Sequence, residues 1–442
     1  LSFHGASESV TGSKSIIEIN QTRLLIDCGM YQGDSDLELK NNESLVKLLG
    51  PVDAIILTHA HLDHTGLLPK LVKEGFHGEI FCTHETFELV KIILEDSAKI
   101  QMYEFKKGNS ARILYGQEDV EQTLTLFKIV ERKVMFDNIE IEFFNAGHIL
   151  GAVSVVIRAN NESVCFSGDL GRDDDLLHPM VEPPTDVDFL VLESTYGNRL
   201  HHRNNPYKEL IKAIEHIKEQ KGVLLIPAFA IARTQVLIKM LSDLFELSPQ
   251  LKLSVFVDSP MGVKATEAYR KFSKSLKVSE PEFLKSLEVA KFIEFGNDAK
   301  KLAKAKAPFI LISSSGMLSG GKVLKYFDMY AHHERNVILI TGYQGEGTLG
   351  KSLLAGQQEF EMFGHRIKFR AKLLQIASLS AHADQEDLLR YVEKNSQLKA
   401  IFLNHGEEEA MDVLKQKLEE KFKLRVIKAS KDESYDLGGI KK

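Results

Sequence analysis

The sequence has little cysteine: only Cys28, Cys82 and Cys165 in 442 residues. They are far apart, odd in number and form no Cys-x-x-Cys pair. That argues against a disulfide framework or a cysteine zinc site and fits a reducing, cytoplasmic compartment. Also lacking is any run approaching the ~20 apolar residues that a membrane helix needs. The start, Leu1–Glu8, has no basic stretch followed by an apolar one, so no signal peptide is expected. Leu1 in place of an initiator Met leads to the expectation that a few residues are trimmed. Internal repeats and low-complexity linkers are absent. What is present, 43% hydrophobic and 27% charged residues, suits an ordinary globular chain of two or three domains.

The formal net charge of −6 is poorly suited to a phosphate-bearing partner. Its distribution is less so. Residues 200–365 hold 23 Lys+Arg against 17 Asp+Glu, and the rest of the chain 33 against 45. The middle is therefore basic, and bound cations would neutralise part of the acidic remainder.

The pattern of hydrophobic residues divides the chain in the same places. Short β-rich runs come first: Ser15–Ile19, Leu24–Cys28, Val52–Thr58, Glu140–Phe144, Val153–Ala159, Ser163–Ser167 and Phe189–Glu193. Helical patterns over Leu37–Leu49, Leu67–Glu74 and Thr86–Lys99 separate some of them. After Thr195-Tyr196-Gly197-Asn198, strands and helices alternate: Glu209–Glu219 helix, Val223–Pro227 strand, Ile231–Phe245 helix, Leu253–Asp258 strand, Phe309–Ser313 strand, a helix near Lys322–His332, and Val337–Thr341 strand. Such alternation implies a parallel, doubly wound sheet. Lys271–Lys306, rich in Lys and Glu, reads as an exposed helical excursion. Near Arg366 a β pattern resumes with Lys368–Ala377, then helix Asp384–Lys394, strand Lys399–Leu403, helix Glu407–Glu420 and strand Leu424–Lys428. The middle thus reads as an insertion, 200–365, into a domain made of 1–199 and 366–442.

Four metal-competent side chains, His59, His61, Asp63 and His64, stand within six residues, directly after an apolar strand. Imidazole and carboxylate suit zinc or a similar divalent ion. Alternation sends His59 and His61 to one side and leaves Asp63 and His64 for another, so one segment can serve two adjacent metals. His148, Asp169 and His405 also follow strands. Each alone could be a turn or capping residue; four strand ends with such side chains together point to a metal centre. Asp169 is the candidate bridging carboxylate.

The run Thr58–Gly66 resembles the signature of the metallo-β-lactamase superfamily, with Asp27, His148 and Asp169 in the order of its other motifs. Glu193 in Glu193-Ser194-Thr195-Tyr196-Gly197, His382 in Ser380-Ala381-His382-Ala383-Asp384, and His405 resemble motifs A, B and C of the β-CASP nucleases, nearest the polyadenylation branch and its prokaryotic relatives. The resemblance implies an αββα sandwich with an inserted doubly wound parallel α/β β-CASP domain. It implies one Zn²⁺ on His59, His61 and His148, a second on Asp63, His64 and His405, Asp169 bridging and Asp27 bracing the histidines, with Mn²⁺ as the alternative metal. A His at motif C goes with RNA in that family, so the partner is expected to be single-stranded RNA, with a homodimer as a further expectation. The implied reaction is phosphodiester hydrolysis, endo- or 5′-exo-acting, in RNA processing or decay.

Two metals about 3.5–4 Å apart lower the pKa of a bridging water, and the hydroxide attacks phosphorus in line. Asp63 is central to that site, His382 is the candidate general acid and Glu193 its orienting partner. In the inserted domain, backbone groups at Ser313-Ser314-Ser315-Gly316 could cradle a phosphate. Arg233, Tyr343 and Thr348, at similar strand ends, could contact the nucleic-acid backbone. The competing readings are a DNA-directed nuclease, a small-substrate metallo-hydrolase on the same scaffold, and a non-catalytic relative. The large insertion speaks against the small substrate, and retention of every ligand against the inactive subunit.

Overall fold

The structure is a computed structural model that describes every residue except 34, 109, 202–204, 294–299, 301, 343, 346, 432 and 441–442. The chain forms two compact units, Leu1–Leu200 with His382–Lys442, and His201–Ala381. Among the described residues no helix is long and apolar enough to cross a membrane.

The first unit begins with a six-stranded sheet: β1 (Ser2–Gly5), β2 (Lys14–Ile19), β3 (Thr22–Ile26), β4 (Ala54–Ile56), β5 (Glu79–Cys82) and β6 (Phe127–Ile129), paired in that order. The first three strands are antiparallel and the remainder parallel. Parallel neighbours need crossover segments, and His84–Lys106 and Gln117–Leu124 lie between β5 and β6. The expected helix over Leu37–Leu49 is broken into Ser35–Leu39, a 3₁₀ turn at Lys40–Asn42, and Leu45–Leu49. The cause is polar. Buried Asn41 spends its amide on both backbone groups of Tyr31, at 2.9 and 2.8 Å, and Ser44 caps a fresh helix. The chain continues through β7 (Lys133–Phe136), β8 (Ile139–Asn145), β9 (Val153–Ala159), β10 (Glu162–Phe166) and β11 (Phe189–Leu192).

The second unit contains β12 (Val223–Pro227), β13 (Ser254–Val257), β14 (Ala290–Phe292), β15 (Phe309–Ser313), β16 (Val337–Ile340), a hairpin of β17 (Glu359–Met362) and β18 (His365–Lys368), and β19 (Lys372–Gln375). Six strands form one wholly parallel sheet, ordered β14-β13-β15-β12-β16-β19. Its central strands are near-continuous apolar runs because both faces are covered. Two expectations change. Lys271–Lys306 is not simply an exposed helix: Phe283 and Leu287 of helix Glu280–Leu287 are buried, and β14 adds an edge strand to the sheet. The return to the first unit falls at His382 rather than at Arg366, because β19 pairs with β16 (Ile338 opposite Leu373) and belongs to this sheet.

Back in the first unit, β20 (Ala400–Leu403) and β21 (Arg425–Lys428) complete a seven-stranded sheet ordered β21-β20-β11-β10-β9-β8-β7. The two sheets face one another. Strand alternation puts Ile17, Leu24, Ile26, Ile56 and Phe81 of one against Phe143, Val155, Phe166, Val191 and Phe402 of the other in one core. Helix Gln385–Glu393 lies on the outer face of the second sheet, where Tyr391 meets Ser154 and Cys165. The result is the expected helix–sheet–sheet–helix sandwich. Val153 N–H donates to Thr58 O at 2.8 Å and so ties the start of β9 to the end of β4. Phe402 is fully buried against Phe3 and Tyr435. Phe402→Ala is expected to cost the sandwich ~3–5 kcal/mol, read as a lower urea midpoint with an unchanged slope.

Candidate metal centre

Six strands end at one place in the first unit. β3 leads to Asp27, β4 to His59, β8 to His148, β10 to Asp169, β11 to Glu193 and β20 to His405. Beyond His61 the chain makes a helical turn, Leu62–Thr65, which carries Asp63 and His64 away from the extended segment that holds His59 and His61. The expected two-sided use of this motif therefore arises from strand followed by helix, not from alternation throughout.

The side chains fall into two groups, His59, His61, His148 and Asp169, and Asp63, His64 and His405. In the first, His59 Nε2 and His148 Nε2 lie 3.1 and 3.2 Å from His61 Nδ1. In the second, His64 Nε2 and His405 Nε2 are 3.3 Å apart, and Asp63 Oδ2 lies 3.6 Å from His405 Nε2. Two nitrogens bound at 2.0–2.1 Å to a tetrahedral ion are separated by about 3.3 Å, so the spacing suits zinc. Asp169 stands between the groups. Its Oδ1 is 3.3 Å from His64 Nε2, and its Oδ2 is 3.6 and 3.7 Å from His59 Nε2 and His148 Nε2.

The hydrogen-bond network decides which lone pairs face inward. Asp27 accepts from Thr58 N–H at 2.8 Å, from Thr58 Oγ1 at 2.8 Å and from His64 Nδ1 at 2.7 Å. Thr58 Oγ1, its own proton given to Asp27, accepts from His59 Nδ1 at 3.1 Å. Both rings are thus assigned the tautomer that leaves a lone pair on Nε2. In His64 that lone pair meets the buried Asp169 Oδ1, which has no hydrogen-bond donor among the described residues. Acceptor facing acceptor is repulsive unless a cation lies between, and the residues therefore fit a divalent metal.

The electrostatics agree. Burial, reinforced by neighbouring His64, holds the His59 pKa well below its ordinary value, and burial likewise lowers His61. Both are therefore neutral and able to donate a lone pair. Burial alone would raise the carboxyl pKa values. The surrounding histidines overcome it, holding Asp169 well below the carboxylate range and Asp63 at about 2. Burial also opposes charge on His64, but Asp169 and Asp27 raise its pKa well above the usual value. A proton on Nε2 and a metal ion are thus alternative ways of meeting those anions, and the Nε2 lone pair is available when an ion takes the proton's place.

Glu193 and His382 sit beside the first group. His382 precedes the N-cap Asp384 of helix Gln385–Glu393, whose capping box fixes the turn, and Ala383 N–H donates to Leu170 O at 2.7 Å. His382 Nδ1 is 3.4 Å from Glu193 Oε1. Glu193, buried, accepts from Leu170 N–H at 2.9 Å and Thr195 N–H at 3.1 Å. Two contributors were not singled out in the sequence: Thr58, the relay from Asp27 to His59, and Thr195, whose Oγ1 lies 3.3 Å from His405 Nδ1. Their only sequence signal is position, next to His59 and Glu193.

The phosphate candidates all belong to the second unit. Ser313 is fully buried and its hydroxyl donates to Asp258 O. Ser314 pairs with Ser259, and Ser315 with Ser319. Thr348 caps helix Leu349–Leu354, and Arg233 is buried at the start of helix Arg233–Leu247. Tyr343 lies outside the described residues. The hydroxyls of Ser313 and Thr348 are thus used by the fold itself. For the metal centre, Asp27→Asn keeps the side chain's shape but replaces one acceptor oxygen with a donor. Zinc affinity in a chelator competition titration is expected to fall about 10- to 100-fold.

Comparison with known proteins adds sequence relationship to this geometry. Residues 12–228 match the metallo-beta-lactamase superfamily, 234–353 the Beta-Casp domain, and 366–429 the Zn-dependent metallo-hydrolase RNA specificity domain. A ribonuclease of Thermus thermophilus is 33% identical over 423 residues, covering 92% of this chain and 93% of that one. An RNase J-like protein of Methanocaldococcus jannaschii is 30% identical, covering 92% of each. Integrator complex subunit 11 of Gallus gallus is 29% identical, covering 95% of this chain and 70% of its own length. With three domain matches in the order of the fold and one third identity across nearly its whole length, the chain belongs to the β-CASP ribonuclease family of the metallo-β-lactamase superfamily.

Proposed function

We propose that this protein is a ribonuclease that hydrolyses phosphodiester bonds of single-stranded RNA with two zinc ions. The observation that carries the reading is Asp169, whose two carboxylate oxygens face different histidine groups, Oδ1 toward His64 and Oδ2 toward His59 and His148. The first ion would be held by His59, His61, His148 and Asp169, and the second by Asp63, His64, His405 and Asp169. When bound, the ions would supply a water nucleophilic at neutral pH and offset the charge that develops on the phosphate.

The chain's own residues do the rest. Asp27 and Thr58 hold the two histidine rings in the tautomer that presents Nε2 inward. Burial of both ligand groups removes competing water and strengthens each electrostatic contact. Glu193 holds His382 through Nδ1, which leaves Nε2 as the atom that delivers a proton to the departing oxygen. Burial disfavours the imidazolium, but Glu193, then Asp169 and Asp63, push the His382 pKa up to about 9. A protonated, and hence acid, His382 is therefore favoured at neutral pH. The choice of RNA is supported by the ribonuclease names of the relatives and by the RNA specificity domain match over 366–429.

Asp63→Ala and His64→Ala are expected to abolish cleavage of single-stranded RNA while leaving the circular dichroism spectrum intact; wild-type rates in either would exclude the two-ion site. His382→Ala should lose about 100- to 10,000-fold in kcat with its zinc content unchanged, as measured by atomic emission. Glu193→Gln removes the charge that favours protonated His382. The alkaline limb of the pH–rate profile is then expected to begin at lower pH, since a general acid fails once deprotonated. Parallel assays on single-stranded RNA and DNA, with blocked and free ends, test the substrate; equal cleavage of both would overturn the RNA assignment.

A further inference from the structure

Lys14 opens β2 and is almost wholly buried. A buried ammonium is costly unless acceptors surround it. Among the described residues Lys14 has no carboxylate partner. Its Nζ instead donates at 2.7 Å to Gly12 O and at 2.7 Å to Gly29 O, and lies 4.5 Å from the centre of the Tyr31 ring. Tyr31 is pressed close: Gly12 has φ +79°, and a Cβ there would lie 2.5 Å from Tyr31 Cδ1. Burial pushes the Lys14 pKa down to about 8, which still leaves it mostly charged at neutrality.

The two carbonyls belong to two loops, 6–13 and 28–31. Both loops back onto the second ligand group. Ser13 N–H donates to Asp63 O at 2.8 Å, Cys28 N–H to His64 O at 2.7 Å, and Met30 N–H to Leu62 O at 3.0 Å. Ala6 O accepts from His405 N–H at 2.7 Å. Gly29 passes so near that a Cβ would sit 1.6 Å from Asp63 O. The backbones of Asp63, His64 and His405 are therefore all held by loops that Lys14 joins. The first group shares one brace with the second, since Asp27 also accepts from His64, but His59 and His148 have further anchors outside these loops. Asp27 is fixed in the ladder by Ile56 O and reaches His59 through Thr58, while Gly171 and Ala152 bracket the His148 turn at Ala146.

We infer that Lys14 is a positioning residue for the second metal group, its ammonium pinning loops 6–13 and 28–31 so that Asp63, His64 and His405 converge. This rests on the two-ion reading above. Lys14→Met keeps the length of the stem and removes every N–H donor. In a zinc titration against a chromophoric chelator, the wild-type chain is expected to hold two zinc ions. The variant should keep one within about twofold and bind the other at least about tenfold more weakly. Equal weakening of both ions, or no weakening, overturns the inference, since a general structural role would not choose between them. Should Lys14→Met fail to fold, Lys14→Gln carries the test, because it keeps a polar end but removes the charged ammonium that joins the two carbonyls. The same selective weakening is expected there, and unchanged binding of both ions overturns the inference. A wild-type chain that takes up a single zinc would overturn the two-ion reading itself, before any variant is compared.

Discussion

The carboxylate of Asp27 accepts from the backbone and hydroxyl of Thr58 and from the ring of His64, and through Thr58 it reaches His59. One buried anion therefore sets the orientation of one histidine in each metal group. Metal ligands need a fixed ring and a defined tautomer, and an outer partner on the far nitrogen supplies both. Asp27 itself stands at φ +60°, just past β3, with its own N–H bonded to Ile56 O of the neighbouring strand. The site is thus braced by the sheet rather than by a flexible loop.

That bracing explains the architecture of the first unit. Six strands from two facing sheets end together, and each leads within one to three residues to a candidate site residue. A strand end gives a side chain a rigid origin and a free direction. The core of Phe, Val and Ile between the sheets keeps those origins in register. Function then depends on charge in a place that water reaches poorly. Asp169 and Asp63 stay ionised and His59 and His61 stay neutral, so the cluster is an electron-rich pocket that calls for cations.

His382 is of the opposite character. Its neighbours favour the imidazolium, because Glu193 faces its Nδ1 and two further carboxylates stand nearby. Histidines a few ångströms apart thus differ in the form their surroundings favour: burial keeps His59 and His61 neutral, while nearby carboxylates favour the imidazolium of His382. The His148 and His382 rings are 4.5 Å apart.

The sequence by itself marked the candidate ligands of the site. His59, His61, Asp63, His64, His148, Asp169 and His405 each follow an apolar run, and apolar runs of that length end where a sheet ends. It also determined the two-part organisation, because the period of the hydrophobic pattern changes with the fold. Only the tertiary structure decided the pairing. No periodicity says that Asp169 turns one oxygen to each group, that Thr58 passes a hydrogen bond from His59 to Asp27, or that Lys14 joins two loops behind Asp63. It also moved the return point from Arg366 to His382, since β19 reads locally like any other strand and is assigned by its pairing with β16. Local pattern reports which face of an element is buried; which partner it meets depends on long-range packing, and the metal groups arise from such meetings.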